Sequence, residues 1–388
     1  MTETAAIDAA LRDAAQRVPG LVALATTKAG TIYEGAFGKR DISSDAPMTV
    51  DTVFRLASMT KALASVAAMQ MVEAGKLSLD APVRDVLPAL ASPKVLTGFD
   101  AAGQPEFRPA TVPITLRQLL THTAGYGYNT WNPLVKRWLE VTRAPRMPTS
   151  DAELAAYPLV FEPGSRWQYS IATDLVGKAV EAASGQTLDA YWRDHVLGPL
   201  GMVDTGVSLT DAQRARAVRS HMRRPDGSLA PDDQPIGSGP AWCLGGGALA
   251  GTARDYGAFL RMLLNGGVHD GTRLLRAETV AEMSRNQIGA LDVEILHSVM
   301  PDRSNDVDVF PGMQQKWGLG FLINTQPGPA GRSAGSLAWA GLFNTYYWID
   351  PVRGVAGLVL TQILPFMDAG TLAALSAFEQ AVYATLNG

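Results

Sequence analysis

The sequence predicts an α/β protein of the α+β kind, in which an antiparallel sheet flanked by helices is joined to a mostly helical part. Three observations predict it. Strand-like runs lie towards both ends of the 388-residue chain, at 21–37 and 317–363. Helical patterns flank them at 3–17 and 368–386, and residues from about 83 to 235 read as helices and long loops. The sheet is therefore split in sequence. We expect residues 1–80 and 310–388 to form one α/β domain and 81–309 a mostly helical domain with long loops, with any functional site at their interface.

Each element has its own signal. Ala6, Ile7, Ala10, Leu11 and Ala14 recur at helical spacing and make 3–17 an amphipathic helix. Residues 21–27 and 31–37 read as strands joined by Lys28-Ala29-Gly30, a hairpin. The run 62–72 is apolar nearly all round, the mark of a buried helix, and Gly75 is its C-cap. Thr115 caps a helix that stops at 121–125, and 172–184 and 188–200 are helices separated by Gly185. Residues 222–246, with Pro225, Pro231, Pro235 and Pro240, predict a long irregular crossing. A helix is expected at 252–264, and an exposed loop at 301–312 with Asp302, Asp306 and Asp308. Residues 317–323, 336–350 and 355–363 read as consecutive antiparallel strands before the closing helix.

Composition excludes several function classes. With 33 basic and 37 acidic residues the formal charge is −4, and no Lys/Arg cluster suggests nucleic acid or anionic lipid as a partner. At 47% hydrophobic and 18% charged the chain falls among ordinary globular proteins. The single cysteine, Cys243, rules out an intrachain disulfide and fits a reducing compartment. Residues 1–8 are acidic and lack the apolar region of a secretory signal, and no run reaches the roughly 18 apolar residues of a spanning helix. The expectation is a cytoplasmic protein without a membrane segment.

The chemistry concentrates in Phe54-Arg55-Leu56-Ala57-Ser58-Met59-Thr60-Lys61, just ahead of the apolar helix. Placed in its first turn, Ser58 and Lys61 share a face, so the amine can reach the hydroxyl. That is a nucleophile beside a base. Lysine serves as a base when desolvation or a neighbouring cation lowers its pKa, and an apolar helix supplies the first condition. The Ser58 N–H at the helix start can also face the oxygen that becomes negative when a carbonyl is attacked. S-x-x-K is short and arises by chance, so a capping serine and a solvated lysine are the competing reading until context decides.

Context comes from further motifs in order. With the Ser58 segment, Leu119-Leu120-Thr121-His122-Thr123-Ala124-Gly125, Tyr169-Ser170-Ile171, Gly245-Gly246-Gly247-Ala248-Leu249 with Thr252-Ala253-Arg254-Asp255-Tyr256, and Trp339-Ala340-Gly341 run as in the class C β-lactamase-like serine hydrolases. The chain resembles that group over roughly residues 15–385, and within it most resembles the family VIII carboxylesterases. The resemblance implies a β-lactamase/DD-peptidase-like fold and no metal or organic cofactor. It implies Ser58 as the acylated nucleophile, Lys61 as its activator and Tyr169 as the proton relay. It also places the oxyanion between the N–H groups of Ser58 and Leu342. Two departures bear on substrate. Ile171 stands where the β-lactamases usually have Asn, and Trp339-Ala340-Gly341 stands where they have Lys-Thr-Gly. Losing an amide and an ammonium removes anchors for a β-lactam and suggests neutral, hydrophobic esters. Tyr128, in the loop after the Leu119 to Gly125 motif, is at a position that lines the site in the esterases, and Gly341 of the strand motif is a further substrate-binding candidate. Tyr126, Trp242 and Phe366 are further candidates for which ordinary packing is an equal reading.

Rival sites are weaker. Gly331-Arg332-Ser333-Ala334-Gly335 matches G-x-S-x-G, but an α/β-hydrolase needs a histidine after its nucleophile, and His122, His195, His221, His269 and His297 all precede Ser333. Gly245-x-Gly247-x-x-Ala250 lacks a preceding strand for a dinucleotide site. The histidines have no metal-ligand spacing, and Asp302–Asp308 lacks the other ligands of a calcium loop. His122 reads as a loop-holding hydrogen-bonder. The expected function is a serine carboxylesterase acting on a small-molecule, short-acyl ester. A β-lactamase or D-amino-acid peptidase, an amidase or an acyltransferase would use the same acyl-enzyme, and a binding protein on a penicillin-recognition scaffold is the non-enzymatic alternative.

Overall fold

In the run Gly-Leu-Val-Ala-Leu-Ala-Thr-Thr of strand Gly20–Thr27 (β1), apolar residues occupy odd and even positions alike, as a strand covered on both faces requires. A computed structural model describes residues 3–234, 236, 242 and 245–386; Cys243 lies outside them. Among the described residues, seven strands form one antiparallel sheet. Besides β1 they are Thr31–Gly38 (β2), Gln315–Trp317 (β3), Leu322–Asn324 (β4), Leu337–Gly341 (β5), Thr345–Asp350 (β6) and Val355–Leu360 (β7), in the order β3-β4-β5-β6-β7-β1-β2. The N-terminal hairpin thus pairs with the last strand, with Val22 opposite Leu360 and Thr27 opposite Val355.

The two-residue period of β1 sorts its side chains into two cores. Leu21, Ala23 and Ala25 pack with helices Glu3–Ala14 (α1) and Ala369–Thr385 (α5). Val22 and Leu24 face the other way, towards helices Thr60–Glu73 (α2) and Ala253–Leu264 (α4). Helix α2 is buried from Thr60 to Met69, as its all-round apolar sequence demands. Helix Ala172–Ser184 (α3) packs on it from the far side, ends on Gly185 at φ 73°, and lies in the same core as α2. Thr115 closes a capping box with Gln118 around helix Leu116–Leu120.

The structure differs from the sequence expectations at several points. Residues 317–323 are not one strand: Gly318 and Gly320 turn the chain tightly enough for β3 and β4 to pair with each other. Residues 336–350 are two strands, because Asn344 at φ 61° reverses the chain after Gly341. The irregular crossing at 222–246 contains a hairpin, Ser220–Arg223 with Leu229–Asp232, in which Pro231 occupies an edge strand that needs no donor there. The loop at 301–312 is only partly exposed, since Ser304, Val307 and Phe310 are buried and bridges tie it to Leu296 and Phe366. The helix at 188–200 is α-helical over Leu188–Trp192 and widens to a π turn over Arg193–Leu197. No helix among the described residues is long and apolar enough to cross a membrane.

Candidate active site

Ser58 does not sit within α2. It lies in a 3₁₀ turn, Ala57–Met59, that feeds the helix. The turn is strained at Ala57, whose φ of 45° is in the left-handed region that a Cβ disfavours. Gly341 lets β5 approach this turn: a Cβ there would lie 2.3 Å from the Leu56 carbonyl oxygen and 2.3 Å from Thr345 Oγ1. Residues Ser58 and Leu342 consequently line the same cavity.

Lys61 is buried, and its Nζ donates to three acceptors: Ser58 Oγ at 3.2 Å, Tyr128 OH at 3.0 Å and the Gly246 carbonyl at 2.7 Å. The same Nζ lies 4.9 Å from the Tyr169 ring centre and 5.3 Å from that of Tyr128. The Tyr169 hydroxyl accepts from Trp339 Nε1 at 3.0 Å, and its ring packs among His122, Tyr128, Trp131 and Trp339. One lysine thus bonds both Ser58 and Tyr128 and stands beside the Tyr169 ring.

The surrounding shell fixes this arrangement. Asp174, in the first turn of α3, accepts from the Gly246 N–H at 2.8 Å, and the Gly246 carbonyl in turn holds Lys61. Gly246 must be glycine, since a Cβ would lie 2.2 Å from the Asp174 carboxylate. Burial raises the Asp174 carboxyl above the usual range against the opposing pull of Lys61. Burial likewise pushes the Tyr128 phenol well up. His122, at φ 59°, is bonded through Nδ1 to Ser170 Oγ at 3.2 Å, and its carbonyl accepts from Gln168 N. Burial and then Lys61 hold its pKa well down, so it stays neutral and anchors the loop.

The cavity over Ser58, about 260 Å³, is lined by Tyr128, Trp131, Tyr169, Asp174, Leu342 and Phe343 among others. Of the residues singled out in the sequence, Ser58, Lys61, Tyr169, Tyr128 and Leu342 come together, and Gly341 sets the approach of the strand. Trp339 is no wall of this cavity; it is a hydrogen-bond donor to Tyr169. Ile171 is buried at the N-cap of α3 and does not line it. Tyr126 packs on Tyr157, Trp242 lies under Lys178, and Phe366 stacks on Tyr346, all outside the lining. The two apolar departures from the β-lactamase pattern, Ile171 and Trp339, are therefore not part of the lining of this cavity. Sequence reasoning missed Asp174, Trp131 and three lining arginines, Arg55, Arg146 and Arg303. Arg55 was visible three residues before Ser58; the others carry no local signal.

The chain is similar over nearly its whole length to known proteins. A methylbutanoyltransferase acting on ML-236A carboxylate, from Penicillium citrinum, is 32% identical over 97% of this chain and 93% of its own. A lovastatin esterase from Penicillium rubens is 30% identical over 95% and 94%. Among solved structures, the LovD6 mutant of simvastatin synthase from Aspergillus terreus is similar with a TM-score of 0.86 and 32% identity, covering 99% of this chain and 98% of that one. The Beta-lactamase family model matches residues 6–381, and with Ser58 and Lys61 in hydrogen-bond contact inside this fold, the chain belongs to the Beta-lactamase family, in the part that holds acyltransferases and esterases.

Proposed function

We propose that the protein is a serine carboxylesterase working through an acyl-enzyme on Ser58. The observation that carries this reading is the single buried Lys61 amine bonded to both Ser58 Oγ and Tyr128 OH, below a Tyr169 hydroxyl that Trp339 holds. Ser58 Oγ attacks the ester carbonyl and its proton passes to Tyr169. The oxyanion sits between the N–H groups of Ser58 and Leu342. Collapse breaks the C–O bond, the alcohol leaves with the Tyr169 proton, and water repeats the sequence to release the acid. The Trp339 N–H and the nearby Lys61 cation both support negative charge on the tyrosine oxygen while it holds no proton.

A second reading replaces the water by an alcohol. The transferase relatives favour it, since deacylation by an acceptor hydroxyl uses the same groups. The test is hydrolysis of p-nitrophenyl esters from acetate to dodecanoate, with nitrocefin alongside, on wild type and Ser58→Ala. Short-chain ester turnover that vanishes in Ser58→Ala supports the esterase. Undiminished turnover in Ser58→Ala, or strong nitrocefin turnover with none on esters, overturns it. New ester formed when an added alcohol competes with water selects the transferase.

A further inference from the structure

Three guanidinium groups line the Ser58 cavity, from distant parts of the chain: Arg55 just before the 3₁₀ turn, Arg146 before the helix Asp151–Ala156, and Arg303 in the partly buried loop. No step of acyl transfer uses them. Among the described residues none has a carboxylate within ion-pair reach, whereas Arg216 pairs with Asp204 and Arg223 with Asp368. Arg55 Nη1 and Arg303 Nε are buried without a hydrogen-bond partner. A buried donor left unmade is costly, and more so when charged, so such groups are ordinarily matched.

Both arginines are held in place. The Arg55 backbone pairs with Ala250 and donates to Gln362 Oε1 at 2.8 Å, and its guanidinium lies 4.5 Å over the Phe343 ring, one residue beyond Leu342. The Arg303 carbonyl accepts from Phe366 N at 3.0 Å, which ties its loop to the sheet end. Burial depresses both guanidinium pKa values. Arg55 feels the further repulsion of Arg303, and Arg303 that of Arg146. The acids that oppose them are Asp232, which both feel, and Asp302 for Arg303; neither acid is in ion-pair contact with them. Counting Lys61 and the buried Asp174, cations outnumber acids around the cleft.

We infer that Arg55, Arg303 and Arg146 form an anion subsite of the Ser58 cleft, and that the ester or acyl acceptor taken there carries a carboxylate or phosphate group. That the anion belongs to a substrate rests on the acyl-enzyme reading; that the cleft binds an anion does not. A planar guanidinium pair matches either group through paired N–H donors, and Phe343 beneath Arg55 leaves its donor edge free to turn towards the cavity.

The decisive measurement is calorimetric titration of hexanoate, hexyl phosphate and neutral hexanamide into wild type, Arg303→Gln, Arg146→Gln and the double variant Arg55→Gln/Arg303→Gln. Wild type is expected to bind one of the anions at least about tenfold more tightly than hexanamide. The preference should shrink in Arg303→Gln and vanish in the double variant. The better anion identifies the group. Equal binding of hexanamide and both anions, or a preference unchanged in Arg303→Gln and the double variant, overturns the subsite. If circular dichroism shows the double variant unfolded, the two single variants decide by the same criterion. Fluorophosphonate labelling of Ser58 in wild type separately reads the esterase proposal: an unlabelled serine with a clear anion preference would remove the enzyme and leave the subsite.

Discussion

Lys61 Nζ stands within hydrogen-bond distance of Ser58 Oγ, Tyr128 OH and the Gly246 carbonyl. In the proposed reading a tyrosine takes the serine proton. Tyr128 is the poorer choice, because burial drives its phenol upward and its hydroxyl already accepts from Lys61. Tyr169 accepts from Trp339 and stands near the same cation. Steady-state kinetics on a p-nitrophenyl ester should therefore show Tyr169→Phe lowering kcat by about 10²–10⁴-fold, and Tyr128→Phe by clearly less. The reverse order would make Tyr128 the base. Trp339→Phe keeps the packing and deletes the N–H. One hydrogen bond to a developing charge contributes about 1.5–3 kcal/mol, so kcat should fall about tenfold or more while KM stays near its wild-type value. An unchanged kcat would return Trp339 to the status of a packing residue.

At the scale of elements, the nucleophile depends on how closely β5 meets the turn at Ala57–Met59. Gly341→Ala would force a Cβ against the Leu56 carbonyl and push the strand, with Leu342, away from Ser58. A displacement near 1 Å at the reacting groups costs about 10²-fold in rate, so activity should fall far more than the urea midpoint. Helix α4 carries a pH dependence. Its Asp255 accepts from Asp204 N and Thr205 Oγ1, and burial pushes its carboxyl up to about 6. The unfolded chain ionises this group near 3.8. Between those values the unfolded state binds fewer protons, so this contribution is full below the lower value and is lost as pH rises through about 6, by at most about 3 kcal/mol. Asp255→Asn should flatten the fall in urea midpoint from pH 4 to 6; an unaltered slope would assign it elsewhere. These elements also mark where sequence stops being informative. The Ser58–Lys61 pair was legible because a helical turn alone brings i and i+3 together. The reversal at 342–344 was hidden inside an unbroken apolar run, with only Gly341 and Asn344 as signals. Asp174 gave none, because its meaning depends on Gly246 folding onto α3. Arg303 gave none either, since only the folded chain brings its loop to the cavity that Arg55 lines.

At the scale of the whole molecule, the two chain ends lock together on the face of the sheet away from Ser58. Helix α1 lies on α5, and β1 between them and α4 is buried on both sides. Into this layer the chain inserts an ion pair. Arg332, from the turn between β4 and β5, donates through Nε to Glu379 Oε1 of α5 at 2.7 Å and through Nη2 to the other oxygen, and both side chains are buried. The intact pair adds little net stability, since desolvation cancels much of the attraction, but removing one partner strands the other charge. Glu379→Leu leaves a buried guanidinium over the Phe310 and Trp348 rings with no carboxylate, which should destabilise the fold by about 3–5 kcal/mol in urea unfolding. The double variant Arg332→Met/Glu379→Leu should recover most of that loss, because two apolar side chains of similar volume need no partner. Both should retain the wild-type kcat per folded molecule, as neither residue lines the Ser58 cavity. If the double variant were no more stable than Glu379→Leu, the pair would be holding α5 in place through geometry that apolar packing cannot replace, and the loss would have to be assigned to the docking of α5.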